Sequence, residues 1–273
     1  MIKKPLIITG LDIGSSKISA AALEIFDGTR SRVLAYESQP SKGVFRGSIM
    51  SLDEASNSVA KVLTKLSEKM ARPSGDIYVN ISGDTVVGEK SRGMIPLSSR
   101  GREVTKSDMA KCVNAAGTIR LSFDREIIHK IVLNYSIDDQ PVIKNPLGLY
   151  ASRLSCEMYM ITAGVNHIQN IYKCVDNAGY DIKGVVYSGI ADWAGLSEDG
   201  WKEEDVLLLN MGASLTEISI FSGGCLSAMS VIPVGAADIK GDLKTSAEFD
   251  NIIARVKTKC DDFSSKGQKS LRR

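Results

Sequence analysis

The sequence has little of what marks a secreted, zinc-binding or membrane-spanning protein. Its five cysteines are odd in number and scattered, and no pair has CxxC spacing, so neither a disulfide framework nor a zinc site is indicated. No segment approaches the roughly 18 apolar residues of a membrane-spanning helix. The first apolar run reaches Asp12 too soon for a signal peptide. These absences favour a protein of the reducing cytoplasm.

The sequence also lacks an excess of charge of either sign. The net charge is +2, which is too small to indicate a nucleic acid or an acidic membrane as the partner. Hydrophobic residues make up 43% of the 273 residues and charged residues 24%, as in ordinary globular chains. The composition therefore predicts a folded protein of one to three domains.

The first third of the chain alternates between strands and a helix. Residues 6–11 and 18–25 are predicted strands joined by the segment GLDIGSSK. Ser51 and Glu54 form a capping box for an amphipathic helix that ends before Pro73. The segment DIYVNISG then alternates apolar and polar side chains and predicts another strand, ending at Gly83.

The composition and the hydrophobic pattern of the sequence change after Asp84. A polar, basic stretch is followed by a short helix capped by Thr105 and Asp108, and then by the alternating stretches IHKIVLNYSID and RLSCEMYMI. We interpret residues 84–161 as a small α+β unit inserted into the main domain. The main pattern then resumes with a helix whose predicted apolar face carries Ile168, Ile171, Tyr172 and Val175. A strand, a short helix and three further strands follow.

Two strand–turn–strand segments resemble each other. The first strand runs into Asp12-Ile13-Gly14-Ser15-Ser16, and a later one runs into Asn210-Met211-Gly212-Ala213-Ser214. Asn210 stands where Asp12 stood, and Gly212 stands where Gly14 stood. This weak internal repeat predicts a two-lobed domain in which equivalent hairpins face each other.

The residue types of the first turn suit a phosphate site. Gly14 permits a tight turn that aims backbone N–H groups at an anion, and the hydroxyls of Ser15 and Ser16 add donors. Asp12 at the strand end suits Mg²⁺, usually through waters, and Lys17 suits phosphate charge. The segment is not a Walker A loop. An ordinary strand turn remains the alternative, since Asp-x-Gly turns are common.

Longer segments resemble the FtsA family of bacterial actin-like cell-division proteins. The resemblance lies in GLDIGSSKISAAALE, in SKGVFRGSIMSLDEASNSVAKVLTKLSEKM, in IYVNISGD and above all in HKIVLNYSIDDQPVIKNPLGLYASRL. It implies an α/β, actin-like (ribonuclease H-like) fold with an inserted small α+β subdomain and an incomplete second lobe. The implied units are subdomain 1A at 1–83 and 162–203, a 1C-like insert at 84–161, partial subdomain 2A at 204–243, and an amphipathic helix with a basic tail at 244–273.

The resemblance also implies a cofactor. In the family, ATP and Mg²⁺ lie between the two turns, and residues of both turns bind them. The implied cofactor-binding residues are Asp12, Gly14, Ser15, Ser16, Lys17, Asn210, Gly212, Ser214 and Thr216, with Asp12 as the metal residue.

The second turn departs from the family pattern Asp-x-Gly-Gly-Gly-Thr-Thr-Asp. Asn210 lacks the second carboxylate for Mg²⁺, and Ala213 and Ser214 replace glycines. Much of the adenine side is also expected to be missing. ATP binding is therefore expected to be weak.

The leading functional expectation is a cell-division scaffold that acts through its inserted subdomain, with weak or no ATP turnover. The expected partners are division-ring or divisome proteins and further copies of the chain, at the inner face of the cell membrane. The alternatives are an actin-like ATPase completed by a second polypeptide and a relative of the pilus-assembly proteins.

Smaller features are expected to be structural. His129, His167, Trp193 and Trp201 have no ligand constellation in the sequence and are predicted to pack or to make structural hydrogen bonds. Tail residues such as Phe249, Ile253 and Val256 recur at helical spacing. We expect them to cover a sheet of the second lobe, with weak membrane binding as the alternative.

Overall fold

The first lobe is built on a five-stranded mixed sheet. The computed structural model describes residues 6–26, 30–70, 73–118, 121–138, 140 and 142–242. The strands of this sheet are β1 (Leu6–Ile13), β2 (Lys17–Phe26), β3 (Arg30–Pro40), β6 (Asp76–Ile81) and β12 (Ile182–Tyr187). Their order is β12-β6-β1-β2-β3, with β1, β6 and β12 parallel to each other and β2 and β3 antiparallel to their neighbours. A two-stranded hairpin, β4 (Val44–Phe45) and β5 (Ser48–Ile49), precedes the first helix.

Helices α1 (Leu52–Met70) and α3 (Val165–Asn177) cover one face of this sheet. Their apolar faces meet the buried side of the strands, where Leu11, Ile18 and Val79 are at most 2% exposed. Tyr172, predicted on the apolar face of α3, is instead 38% exposed, and the buried position belongs to Cys174. The helical period alone allows residue 172 on this face, but the buried face is centred on Ile171 and also takes in His167 and Cys174, so packing leaves Tyr172 at its edge.

β3 was not predicted from the sequence. Its charged residues obscure the alternation, and the buried position on this edge strand is taken by Glu37 rather than by an apolar side chain. Lys69 of α1 pairs with that carboxylate at 2.6 Å. The strand is therefore held by tertiary contacts that no local pattern reveals.

The insert is an antiparallel sheet covered by one helix. Its three long strands, in the order β7-β11-β9, are β7 (Val87–Pro96), β9 (Arg125–Ile137) and β11 (Arg153–Gly164). Helix α2 (Lys106–Gly117) packs closely on the sheet at Gly93, where an added Cβ would lie 2.4 Å from the Cys112 carbonyl oxygen. A short pair, β8 (Arg102–Glu103) and β10 (Tyr150–Ala151), closes the far end. The predicted capping box of Thr105 and Asp108 is present at the start of α2.

The described part of the second lobe is one meander with a short helix. Strands β13 (Val206–Met211), β14 (Thr216–Ser222) and β15 (Cys225–Ile232) pair antiparallel in chain order, and α5 (Ala236–Asp242) follows. Helix α4 (Ser188–Leu196) and a 3₁₀ helix (Asp199–Glu203) connect the lobes. One side of the meander leaves Leu207, Leu209 and Met211 about 60% exposed. The helix predicted within 244–273 lies outside the described residues.

Candidate functional site

A cleft of about 510 Å³ lies between the two predicted turns. It is lined by eight of the nine predicted cofactor residues: Asp12, Gly14, Ser15, Ser16, Lys17, Asn210, Gly212 and Ser214. The ninth, Thr216, does not line the cleft, because it is buried and its hydroxyl donates a hydrogen bond to the Val234 carbonyl 2.7 Å away. The fold therefore brings together segments that are far apart in the sequence.

The two turns have the same backbone geometry. The Gly14 N–H donates to the Lys17 carbonyl at 3.1 Å, and the Gly212 N–H donates to the Leu215 carbonyl at 2.8 Å. An added Cβ would meet that same carbonyl oxygen at 2.9 Å in the first turn and at 3.2 Å in the second. A side chain at residue 14 would therefore displace the backbone, and one at residue 212 would require the Leu215 carbonyl to shift by a few tenths of an ångström. The internal repeat seen in the sequence is a structural repeat.

Free backbone donors line the turns. Among the described residues, no carbonyl or side chain accepts a hydrogen bond from the N–H groups of Ser15, Ser16, Ala213 or Ser214. Successive free N–H groups in a tight turn form a concave anion site. The arrangement has the donor set that a phosphate group requires.

Ser214 links the two sides of the cleft. Its hydroxyl donates to Ser15 Oγ at 2.8 Å and accepts a hydrogen bond from the Arg46 N–H at 3.1 Å. The Arg46 guanidinium also lies 3.8 Å from an Asp238 carboxylate oxygen of α5. The hairpin turn between β4 and β5 thus joins the first lobe to the second at the mouth of the cleft.

Two carboxylates near the cleft are held by amide side chains. Asn80 Nδ2 donates to Asp12 Oδ1 at 2.8 Å, and Asn210 Nδ2 donates to Asp192 Oδ2 at 2.8 Å. Burial raises the pKa of Asp12 above its usual value, while the Asn80 hydrogen bond and the Lys17 charge oppose the rise. Burial likewise raises the pKa of Asp192. The Asn210 amide is thus engaged with Asp192.

Glu217 is the carboxylate that sequence reasoning missed. It is 6% exposed and lines the cleft, and its Oε1 atom makes no hydrogen bond among the described residues. Burial raises the pKa of Glu217 to about 7. Its position at the end of the second motif was visible in the sequence, but its burial depends on the packing of two lobes.

Polar residues at the end of β6 complete the floor of the cleft. Asn80 and Ser82 line it, and the Asn80 side chain accepts from the Ile13 N–H at 3.0 Å. The order and direction of the strands could have indicated these two residues. β6 runs parallel to β1, so both carboxyl ends meet at one edge of the sheet, where ligands bind in open α/β sheets.

The residues fit phosphate groups and a cation better than they fit an adenine. The free N–H groups and Lys17 suit phosphate oxygens, and the buried oxygen of Glu217 suits a cation. Among the described residues that line the cleft, none is aromatic. Trp193 stacks instead on Phe221 with a centroid separation of 4.2 Å, which confirms its predicted packing role.

Neither of the two predicted structural histidines lines the cleft, and both make hydrogen bonds. His129 Nε2 accepts from the Tyr187 N–H at 3.0 Å. His167 Nδ1 lies 2.6 Å from Thr85 Oγ1, and its Nε2 lies 2.9 Å from the Gly47 carbonyl oxygen. Among the described residues, no group of three or more His, Cys, Asp or Glu side chains is arranged to hold a metal ion by itself. The helices of the described segments are all too short or too polar to cross a bilayer.

Comparison with solved structures gives the class of the fold. The PilM-PilN type IV pilus biogenesis complex matches with a TM-score of 0.61 at 15% identity, over 97% of this chain and 77% of that chain. Residues 83–162 match the family model described as the SHS2 domain inserted in FtsA. The chain is an α/β protein of the actin-like class that carries an inserted subdomain.

Sequence relatives give the family. The cell division protein FtsA of Borreliella burgdorferi is 30% identical over 238 residues, which are 87% of this chain and 57% of that protein. The cell division protein FtsA of Pseudomonas aeruginosa is 27% identical over 86% of this chain and 56% of that protein. The chain belongs to the FtsA family. It spans little more than half the length of these relatives.

Proposed function

We propose that the chain is a cell-division scaffold that acts through protein contacts of its inserted subdomain, residues 84–161, with weak or no ATP turnover. The observation that carries this proposal is the match of residues 83–162 to the domain inserted in FtsA. The expected partners are division-ring or divisome proteins and other copies of the chain. The proposed location is the cytoplasm, at the inner face of the cell membrane at the division site.

The far end of the insert has the character of a contact surface. Leu147 and Leu149 are more than 40% exposed and Tyr150 is 71% exposed. The backbone there is fixed, because Gly148 N–H donates to the Val104 carbonyl and Val104 N–H donates to the Leu149 carbonyl, at 3.0 and 2.9 Å. Exposed apolar side chains on a rigid backbone bind at a low entropic cost.

Weak turnover is supported by the second turn. The family carboxylate at this position is an amide in Asn210, and that amide donates to Asp192. The free N–H groups still suit a phosphate, so weak nucleotide binding is compatible with the proposal. Isothermal titration with Mg-ATP tests it. Micromolar binding together with turnover, both abolished by Asp12→Ala, would contradict weak turnover.

An actin-like ATPase completed by a second polypeptide is the alternative function. The well-formed first turn and its link to Ser214 favour it. A polypeptide that restores tight ATP binding to this chain would establish it. The pilus-assembly alternative is supported by a shared fold alone, because the matching structure is 15% identical.

Deletion of the insert is a poor test of the scaffold proposal. Val86, Tyr159 and Ile161 lie within residues 84–161 but belong to the core of the first lobe. Tyr159 also accepts a hydrogen bond from the Met229 N–H at 2.9 Å through its hydroxyl. Removing the whole insert therefore removes part of the main core, and a soluble remainder is not expected.

A surface variant is a sharper test. Leu149→Ser with Tyr150→Ser removes the exposed apolar contact without touching the core, whereas Val33→Ser with Tyr36→Ser is a matched control on the exposed face of β3. We expect fluorescent fusions of the first pair to lose recruitment to division sites and the control pair to retain it. Equal recruitment of both variants, with normal melting, would contradict a contact role for this surface.

A further inference from the structure

Two cysteines that are far apart in the sequence meet in the core of the insert. Cys112 lies on α2 and Cys156 lies on β11, and both are at most 1% exposed. The Cys156 thiol donates to the Cys112 carbonyl at 3.3 Å, and the Cys112 thiol donates to the Leu154 carbonyl at 3.5 Å. Each thiol thus contacts the main chain beside the other. The packing of α2 on the sheet therefore forms a dithiol pair that cysteine spacing along the sequence does not reveal.

The pair exists because α2 lies very close to the sheet at this point. Gly93 of β7 is the strand partner of Cys156, and an added Cβ there would clash with the Cys112 carbonyl oxygen and the Ala116 nitrogen. No side chain of residue 93 therefore separates the helix from the strands. The Cα atoms of a disulfide are usually about 4.4 to 6.8 Å apart, and such a separation requires a close backbone approach of this kind.

The two thiols are also unequal in acidity. The interaction between them lowers the pKa of Cys156 and raises the pKa of Cys112. One thiolate therefore forms first, while the neighbouring thiol keeps its proton. A thiolate is the form that oxidants attack, and a second thiol next to it can resolve the oxidised sulfur as a disulfide. Cys174 on α3 is equally buried, but its thiol interacts with the Ser56 hydroxyl instead.

We propose that Cys112 and Cys156 form an oxidative modification site, at which hydrogen peroxide converts the dithiol into a disulfide that fixes α2 to β11. The Cys156 thiolate attacks one peroxide oxygen, the O–O bond breaks, and the leaving hydroxide takes up a proton to become water. The Cys112 sulfur then attacks the sulfenic acid sulfur, the S–S bond forms, and the sulfenic hydroxyl leaves with the Cys112 proton as a second water. The peroxide accepts the two electrons that the thiols lose.

The burial of the pair sets the conditions under which it reacts. Both thiols are shielded from solvent, so the oxidant has to be a small neutral molecule such as hydrogen peroxide. In a reducing compartment, disulfides of this kind are transient and redox-sensing, and the resting state of the pair is the dithiol. Neither cysteine lines the cleft. The inference rests on the packing of α2 and not on the scaffold function.

The link also restrains a long segment of the insert. It closes a loop that contains β9 and the exposed residues Leu149 and Tyr150. A cross-link over such a loop stabilises the folded chain chiefly by restricting the unfolded chain. Oxidation is therefore expected to make the whole chain harder to melt.

Controlled oxidation followed by peptide mapping provides the test. The folded full chain is treated with hydrogen peroxide, the remaining thiols are alkylated in denaturant, and linked peptides are identified by mass spectrometry without reduction. Cys112→Ala removes one member of the pair. Cys174→Ala is the matched control, because it also deletes a fully buried thiol from a helix.

We expect peroxide to link the peptides of Cys112 and Cys156 in the unmodified chain and in Cys174→Ala, and dithiothreitol to reverse the link. Oxidation should raise the melting temperature of these two proteins by about 5 °C or more, but not that of Cys112→Ala. Cys156→Ala should also lose both effects, and it replaces Cys112→Ala if that variant folds poorly.

Three results would overturn the proposal. The first is full alkylation of both thiols after peroxide treatment. The second is a link from either thiol to a different cysteine, and the third is sulfinic acid at Cys156 without a link.

Discussion

Individual side chains determine what the cleft is able to bind. Ser214 connects the turns by donating to Ser15 and accepting from the Arg46 N–H. Asn210 is engaged with Asp192, while the buried oxygen of Glu217 remains without a partner among the described residues. The side chains that depart from the family motif at residues 210 and 214 therefore make contacts inside the protein.

Glu217 should make stability depend on pH. Burial raises its pKa from 4.5 to about 7, Ser82 opposes the rise, and Asp192 and Asp12 add to it. Between these values the native state holds a proton that the unfolded chain has released, so stability falls as the pH rises from about 4.5 to 7. We expect Glu217→Gln to be more stable than the unmodified chain at about pH 8, by up to about 3 kcal/mol. Urea denaturation without divalent ions at about pH 5 and pH 8 measures this, and a parallel pH dependence of both proteins would contradict it.

Short elements around the cleft depend on special backbone geometry. The turn between β4 and β5 contains Arg46 with φ +47° and Gly47 with φ +74°. An added Cβ at Gly47 would lie 2.6 Å from the Ser82 carbonyl oxygen. This turn carries the Arg46 N–H to Ser214 and receives the His167 hydrogen bond at the Gly47 carbonyl. It therefore couples the start of α3 to the cleft.

Gly47→Ala should separate backbone strain from steric clash. Gly179 also has a positive φ, +87°, but no atom lies within 4 Å of its added Cβ. Gly179→Ala should cost about 1 kcal/mol through backbone strain alone, whereas Gly47→Ala should cost about 2 to 4 kcal/mol because it also displaces the Ser82 carbonyl. Chemical denaturation compares the two variants. Equal losses would show that the close approach at Gly47 relaxes freely.

Helix α2 depends on one carboxylate at its start. Arg102 donates to both Asp108 oxygens at 2.7 Å, and the Thr105 N–H and hydroxyl donate to Asp108 Oδ2. These contacts hold the pKa of Asp108 well below its usual range. The contacts of the Asp108 carboxylate stabilise the folded chain fully above pH 3.8, the pKa of this group in the unfolded chain. This contribution to the free energy of unfolding is lost as the pH falls below that value.

Asp108→Asn should therefore loosen the insert. We expect a loss of about 1 to 3 kcal/mol at neutral pH, since the charge-assisted bonds to Arg102 are lost. Asp53→Asn, at an exposed position in the first turn of α1, is the control and should cost under about 1 kcal/mol. Hydrogen exchange of the α2 amides is the measurement. Unchanged protection in Asp108→Asn would refute this role.

At the scale of the whole molecule, the insert is fixed to both lobes. The His129 ring accepts from the Tyr187 N–H in the first lobe, and the Tyr159 hydroxyl accepts from the Met229 N–H in the second. The division of the chain into four units stays a prediction. The predicted units are 1–83 with 162–203, 84–161, 204–243 and 244–273. The contacts of Tyr159 and Ile161 with the main core show that the insert base is shared rather than separate.

Restoring the family residues should not restore the cofactor site. We expect Asn210→Asp with Ser214→Gly to give no micromolar ATP binding. One reason is that the described lining lacks aromatic contacts for the adenine. The other is that Ser214→Gly removes the hydrogen bond from the Ser214 hydroxyl to the Ser15 hydroxyl, which joins the two turns. The single variant Asn210→Asp separates the two effects. Clear protection of the double variant by Mg-ATP in a melting assay would show that the phosphate contacts alone suffice.

The sequence by itself determined the repeating units and their local geometry. Gly14 and Gly212 were identified because tight turns favour glycine, and α2 was located from Thr105 and Asp108 because capping is local chemistry. The long insert block also indicated the family, since its residues are contiguous. These signals depend on neighbours along the chain, so a linear sequence displays them.

Only the tertiary structure decided how the cleft is completed. Thr216 was predicted to bind the cofactor, but the approach of Val234 gives its hydroxyl another partner. The sequence did not indicate three further lining residues, Asn80, Ser82 and Glu217. They line one cleft only because β6 and β14, which belong to different sheets, lie next to it in the folded chain. β3 was missed for the same reason. Its buried carboxylate, Glu37, is compensated by Lys69 of α1, which lies 32 residues later in the chain. Burial and pairing between distant segments are set by packing, which local sequence patterns do not record.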